Sequence, residues 1–233
     1  MTPATLLARC RARPALASFI AVALFCVVAM VFVDRPLALW LKANLHPHWE
    51  GFFKIVTVLG ESRMILVPSG AAWLWFQMAA NLSLFVEART RWRRRANAAL
   101  FVFLAVAGSG LIVNAAKLVI GRIRPRHLFE DGVYGFQPFN FEFAMNTFPS
   151  GHAQSIWAAM IALAIVAPRY DLAWLAIAAL VGISRFVTTV HFLSDVAMGT
   201  WIGIVFTLWL RREFERRNRP VAGGLQRWGR VKG

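Results

Sequence analysis

Charge is scarce in these 233 residues: 16% are Asp, Glu, Lys or Arg, while 58% are hydrophobic. A water-soluble domain averages about 25% charged and about 45–50% apolar residues. The composition therefore excludes an ordinary soluble enzyme and fits a chain that lives in a bilayer. Acid is scarcer still, with 11 Asp and Glu against 26 Lys and Arg, for a formal net charge of +15. There are two cysteines, Cys10 in a basic flank and Cys26 inside an apolar run. That placement suits neither a disulfide framework nor a metal site. No internal repeat and no flexible linker interrupts the sequence, so one domain is expected over 1–233.

The basic excess raises the question of a nucleic-acid partner, and its distribution answers against one. Six apolar runs lie at roughly 15–33, 64–86, 96–120, 152–167, 172–190 and 193–210, and a helical span takes about 20 apolar residues. The fourth and fifth are short. Pro168-Arg169-Tyr170-Asp171 separates them, a tight turn that makes the two an antiparallel hairpin. Six spans put the basic clusters at Arg9–Arg13, at Arg89–Arg95 and from Arg211 onward on one face, with Arg169. That face carries 17 Lys and Arg and 4 Asp and Glu, the other 9 and 7. The positive-inside rule then places both termini in the cytoplasm. The basic tail 211–233 is expected to meet anionic headgroups, at about 1 kcal/mol per basic residue. The first run begins like a signal peptide but lacks a small-x-small cleavage site, since Val31-Phe32-Val33 precede Asp34, so it reads as an uncleaved span. The fold expected is all-α: an integral membrane bundle of six transmembrane helices.

Several features admit a plain structural reading. Trp40, Trp49, Phe52 and Phe53 mark 35–60 as an interfacial connection. His46-Pro47-His48-Trp49-Glu50 invites a metal, but Pro47 breaks the helical spacing, and a capped turn between interfacial helices is expected instead. Gly108-Ser109-Gly110 has no strand before it, so close helix packing replaces a phosphate loop. Gly199 and Gly203 form a small-xxx-small packing pair, and Gln77 and Asn81 are expected to hydrogen-bond between helices. The long polar segment 121–150 carries Phe129, Tyr134, Phe136, Phe139, Phe141, Phe143 and Phe148. Such a loop suits the membrane surface or an entry for acyl chains.

Ionisable residues at membrane depth are costly and mark function. Three groups fall near the outer face. In KLVIGRIRP, Lys117 and Arg124 are seven apart, and Pro125 turns Arg124 away from helix, which ends near Gly121. In NTFPSGHAQ, Pro149 stops what precedes it, Ser150 is a good N-cap, Gly151 clears room, and His152 sits in the first turn. A helix start of this kind presents free N–H groups and a positive dipole end to an anion. In SRFVTTVHFLSD, His191 and Asp195 are four apart, so a helical segment would stack them, with Arg185 nearby as a fork-shaped phosphate donor. Cations, two histidines and a carboxylate together are what cleavage of a phosphate ester requires. No cluster of carboxylates joins them, so neither metal nor other cofactor is expected.

The three groups resemble the signature of the type 2 phosphatidic acid phosphatase superfamily, the lipid phosphate phosphatases. Its pattern K-x6-R-P, P-S-G-H, S-R-x5-H-x3-D is met at Lys117 to Pro125, Pro149 to His152 and Ser184 to Asp195 without departure. The resemblance implies a metal-independent phosphatase in which His191 attacks phosphorus and Asp195 orients it. Lys117, Arg124, Arg185 and the amides near Ser150 and Gly151 would hold the oxygens, and His152 would protonate the leaving group. It further implies a bacterial inner-membrane protein with its site on the periplasmic face. The partner would be a phosphorylated lipid: undecaprenyl diphosphate, phosphatidylglycerophosphate, phosphatidate or a lipid A phosphate. A vanadium-dependent haloperoxidase shares these motifs but is soluble. A lipid-headgroup flippase would carry charge through the inner half of its spans, where Gln77, Asn81 and Asn114 are neutral.

Overall fold

The computed structural model describes residues 13–142, 145–219 and 221. Cys10, Arg9, Arg11, Phe143 and most of the basic tail lie outside the described residues. Nine α-helices follow one another among them: α1 (Pro14–Phe32), α2 (Asp34–Asn44), α3 (Pro47–Val56), α4 (Ser62–Leu82), α5 (Val86–Ile120), α6 (Pro125–Glu130), α7 (Gly151–Val166), α8 (Asp171–Val187) and α9 (Leu193–Arg216). Short 3-10 turns at Thr57–Gly60 and Pro168–Tyr170 link α3 to α4 and α7 to α8.

Five helical stretches are long and apolar enough to cross a membrane: Pro14–Phe32, Pro47–Leu82, Val86–Ile120, Pro168–Val187 and Leu193–Arg216. The sixth, α7, has 16 residues, a rise of about 24 Å, short of a hydrocarbon core about 30 Å thick. Some boundaries move. Arg89–Arg95 are helical, because α5 begins at Val86 rather than at 96, and the span expected to reach 190 stops at Val187.

The short α7 sits at the centre, packed against α5, α8 and α9. Its buried face is alanine-rich (Ala153, Ala158, Ala159, Ala162, Ala164), which lets neighbouring backbones come close where no hydrophobic drive separates helix from lipid. The approach of α9 is closest. A Cβ added at Gly199 would stand 2.3 Å from the Ser150 carbonyl oxygen, and one at Gly203 2.6 Å from that of Gln154. On the other side Gln154 Nε2 donates to Ser109 Oγ (2.5 Å) and to the Val106 carbonyl (3.2 Å), tying α7 to α5. Gln77 and Asn81 differ from expectation: both are exposed on α4 and make no bond to another helix among the described residues. The face of α4 that meets the bundle carries Ile65, Leu66, Phe76 and Ala80, and the amides lie off it.

Two segments close the end of the bundle where the site lies. His46 caps α3, its Nδ1 accepting from the His48 N–H at 3.3 Å, so the His-Pro-His stretch is the capped turn its sequence suggested. The loop 121–150 folds back on itself through isolated bridges Arg122–Phe136 and Ile123–Asn146. Tyr134 anchors it by donating to the Met30 carbonyl (2.6 Å). Phe148 is buried, whereas Phe139 and Phe141 are 68% and 76% exposed, an apolar rim suited to the bilayer surface.

Candidate active site

Each of the three sequence groups is delivered by the end of a helix. At the close of α5, Gly121 takes a left-handed conformation (φ 59°) and donates back to the Lys117 carbonyl. Only glycine fits, because a Cβ there would lie 1.7 Å from the Gln137 carbonyl oxygen. Lys117 is buried one turn before that cap and its Nζ donates to the Asn146 carbonyl at 3.4 Å. Arg124 is extended (φ −71°, ψ 153°) ahead of Pro125, and its buried Nε has no partner. Burial, then Arg126, pushes the Arg124 pKa below its ordinary value, with Asp195 opposing. Ser150 caps α7, its Oγ accepting from the Ala153 N–H at 3.4 Å, and its own N–H donates to the Asp195 carbonyl oxygen at 2.9 Å. His152 lies in the first turn, close against Gly60. Arg185, near the end of α8, donates from Nη1 to Thr57 Oγ1 (2.5 Å), while its buried Nε is unpaired. Two buried guanidinium N–H groups thus have no partner among the described residues, an arrangement that an oxyanion would complete.

His191 and Asp195 meet by a different route from the one their spacing suggested. The helix ends at Val187, and residues 188–192 form a turn in which Thr189 has φ 53°. Asp195 belongs to the next helix, where its Oδ2 reaches back to accept from the Phe192 N–H (2.8 Å) and so caps α9. His191 Nδ1 stands 3.6 Å from Asp195 Oδ2, beyond hydrogen-bonding distance. Thr147 Oγ1 fills the gap, 2.8 Å from His191 Nδ1 and 2.7 Å from Asp195 Oδ2.

Sequence reasoning also passed over Arg122 and Asp34. Arg122 is 1% exposed. Its Nη1 donates to Asp195 Oδ1 (2.5 Å) and Ser194 Oγ (2.7 Å), its Nη2 to Asp34 Oδ2 (2.8 Å) and the Tyr134 hydroxyl (2.9 Å). The Phe192 ring lies 4.3 Å from its guanidinium carbon. Ser194 closes the web through its hydroxyl and N–H, both donating to Asp34. Burial works against the Arg122 charge, but Asp195 and Asp34 outweigh it and hold its pKa above the ordinary value. One signal was available: Asp34 ends an apolar run where an ionisable residue needs a partner.

His191 is 3% exposed. Burial, and then the charges of Arg185, Lys117, Arg124 and His152, hold its imidazole well below the ordinary pKa. The residues singled out in the sequence are therefore gathered around one neutral imidazole. A cavity of about 560 Å³ has His152 and Gly151 in its lining. Glu61, Arg63 and Asn114 supply polar groups along it, and Leu66, Val106 and Leu111 an apolar wall. Elsewhere His127, Glu130 and Asp131 bring three potential metal-ligand atoms within 4.8 Å. Both His127 ring nitrogens are already engaged, by Asp131 and by Arg126.

A family profile described as the PAP2 superfamily matches residues 98–219, more than half of the chain. The chain belongs to the PAP2 superfamily. Among its relatives is the lipid A 1-phosphatase of Rhizobium johnstonii, 33% identical over 189 residues that cover 78% of this chain and 73% of that one. The lipid A 1-phosphatase of Rhizobium etli is 35% identical over 162 residues, covering 66% and 67%. In fold the chain is similar to the transmembrane PAP2-type phosphatidylglycerolphosphate phosphatase of Bacillus subtilis, with a TM-score of 0.59, 20% identity, and coverage of 90% of this chain and 98% of that one. This PAP2 protein is thus an integral membrane phosphatase of lipid phosphates, and the haloperoxidase and flippase alternatives are not favoured.

Proposed function

We propose that the chain removes a phosphate monoester from a lipid A-type glycolipid through a phosphohistidine at His191, on the periplasmic side of a bacterial inner membrane. The observation that carries the mechanism is the buried His191, which burial and the nearby charges of Arg185, Lys117 and Arg124 hold neutral, while the Ser150 N–H at the head of α7 donates to the Asp195 carbonyl. Similarity to relatives named lipid A 1-phosphatase supports the choice of lipid. The basic clusters support cytoplasmic termini and a single membrane domain ending in a basic tail.

In the reaction the three cations and the Ser150 and Gly151 amides hold the equatorial oxygens. The His191 Nε2 lone pair attacks phosphorus in line. The P–O bond breaks, and the leaving oxygen takes a proton from His152, which lines the cavity that receives the lipid alcohol. His152 then takes a proton from water, whose oxygen attacks phosphorus. The P–N bond returns its electrons to His191 and phosphate departs. General acid–base catalysis of this kind contributes about 10²–10⁴-fold, and each oxyanion donor about 2.7–4 kcal/mol.

The test is phosphate release by purified protein, with chelator present, from lipid A, phosphatidate, phosphatidylglycerophosphate and undecaprenyl diphosphate. Release from lipid A that His191→Ala abolishes is expected. Equal turnover by the variant removes the nucleophile, a strict metal requirement removes the metal-free route, and release confined to another lipid removes the substrate.

A further inference from the structure

We propose that Thr147 is a positioning residue of the phosphoryl-transfer centre, whose hydroxyl relays the Asp195 carboxylate to His191 and fixes the imidazole proton on Nδ1. The proposal rests on the reading of His191 as nucleophile and assigns a part to a residue outside the three signature stretches.

Hydrogen-bond accounting carries it. Asp195 is an acceptor at both oxygens, Oδ1 from Arg122 and Oδ2 from the Phe192 N–H. Thr147 Oγ1, 2.7 Å from Oδ2, must therefore be the donor of that bond. A hydroxyl has one proton, so toward His191, 2.8 Å away, it offers only a lone pair. The proton of the second bond then has to sit on His191 Nδ1, and Nε2 is left with its lone pair free for phosphorus. A direct His191–Asp195 bond does not substitute for this chain, because the two groups stand 3.6 Å apart.

The relay is itself held at both ends. The Thr147 N–H donates to the Arg122 carbonyl (2.8 Å), so the residue whose guanidinium pins Asp195 also pins the backbone of Thr147. Thr147 is 0% exposed, which keeps water from competing for its hydroxyl. When Nε2 bonds to phosphorus the ring becomes an imidazolium. The positive charge is then felt by Asp195 through the Thr147 dipole, while Nδ1 and Oγ1 each keep their own proton. No net proton transfer along the relay is needed.

Two readouts test this. The first is ¹⁵N NMR of the His191 ring in full-length protein labelled at histidine, in detergent, without substrate and assigned by loss of the signal in His191→Ala. The expected result is the Nδ1–H tautomer in the wild type and a shift toward Nε2–H in Thr147→Val, with Thr147→Ser restoring the wild-type pattern. An Nε2–H tautomer in the wild type overturns the proposal, whether or not the valine variant folds. The second is single-turnover phosphohistidine formation from ³²P-labelled lipid A. Thr147→Val should slow it about 10- to 100-fold, the loss of one hydrogen bond to a charged network, with KM little changed and serine recovering most of the rate. A valine variant as fast as wild type overturns the relay. Failure of lipid A to react with any form counts against the proposed substrate and leaves the tautomer measurement to judge the relay.

Discussion

A histidine that attacks phosphorus has to be neutral and has to aim one nitrogen, and His191 meets the first demand by its setting. Depression of its pKa has a definite sign: below the ordinary value of about 6.5 a free imidazole takes up a proton, whereas this one, buried and facing four cationic or titratable groups, stays uncharged. The ring resonances of His191 should therefore not move as pH falls through about 6.5 in substrate-free protein; a midpoint at the ordinary value would contradict the electrostatic picture. At this scale the sequence was legible wherever the residue type itself declares the chemistry. Lys117, Arg124, His152, Arg185 and His191 point by type and spacing to the phosphate chemistry proposed for them above. Thr147 does not, because threonine has no default role and its partners lie 44 and 48 residues away. Arg122 does not either, since the basic stretch around it hides which guanidinium faces phosphate and which faces acid.

At the scale of elements, catalysis depends on how closely two backbones meet. Gly199 brings α9 against the first turn of α7, at the Ser150 that caps it. Gly199→Ala forces a methyl group to within 2.3 Å of the Ser150 carbonyl oxygen, and backbone cannot swing aside as a side chain can. The expected cost is about 1–3 kcal/mol of stability with loss of activity as α7 is pushed from its seat, read as a lower melting temperature and a lower kcat/KM. Gly51→Ala, where the new methyl meets nothing within 4 Å, is the matched control and should change neither. The packing glycines and the Ser150 cap were readable because small residues at four-residue spacing and a Ser before an apolar helix have few other uses. The turn at 188–192 was not. His191 and Asp195 at four-residue spacing imitate a helical pair, and no proline or glycine signals the break after Val187, which falls in the β-branched run Val187-Thr188-Thr189-Val190.

For the whole molecule the prediction concerns orientation. In a form with Cys10 and Cys26 replaced by alanine, a cysteine in place of Asp131 should react with a membrane-impermeant maleimide on intact cells. One in place of Arg212 should react only after permeabilisation. The opposite pattern would invert the topology read from the basic clusters. The apolar spans behind that proposal were readable from composition, because apolar length and charge bias act over tens of residues and tolerate errors of several positions at each boundary. Long-range pairing has no such tolerance, and Asp34 shows it. The stretch that identifies the family starts at residue 98, and all three signature groups lie within it. Yet the second negative charge that balances Arg122 arrives from Asp34, 88 positions earlier in the chain. The early helices accordingly take part in the charge network that holds Asp195 and are more than an anchor for it. A shortened protein that begins after the first two helices would keep every recognisable motif and still pit one guanidinium against one carboxylate where it is built to satisfy two. Exchange of this segment between relatives is then a matter of charge matching as well as hydrophobic length.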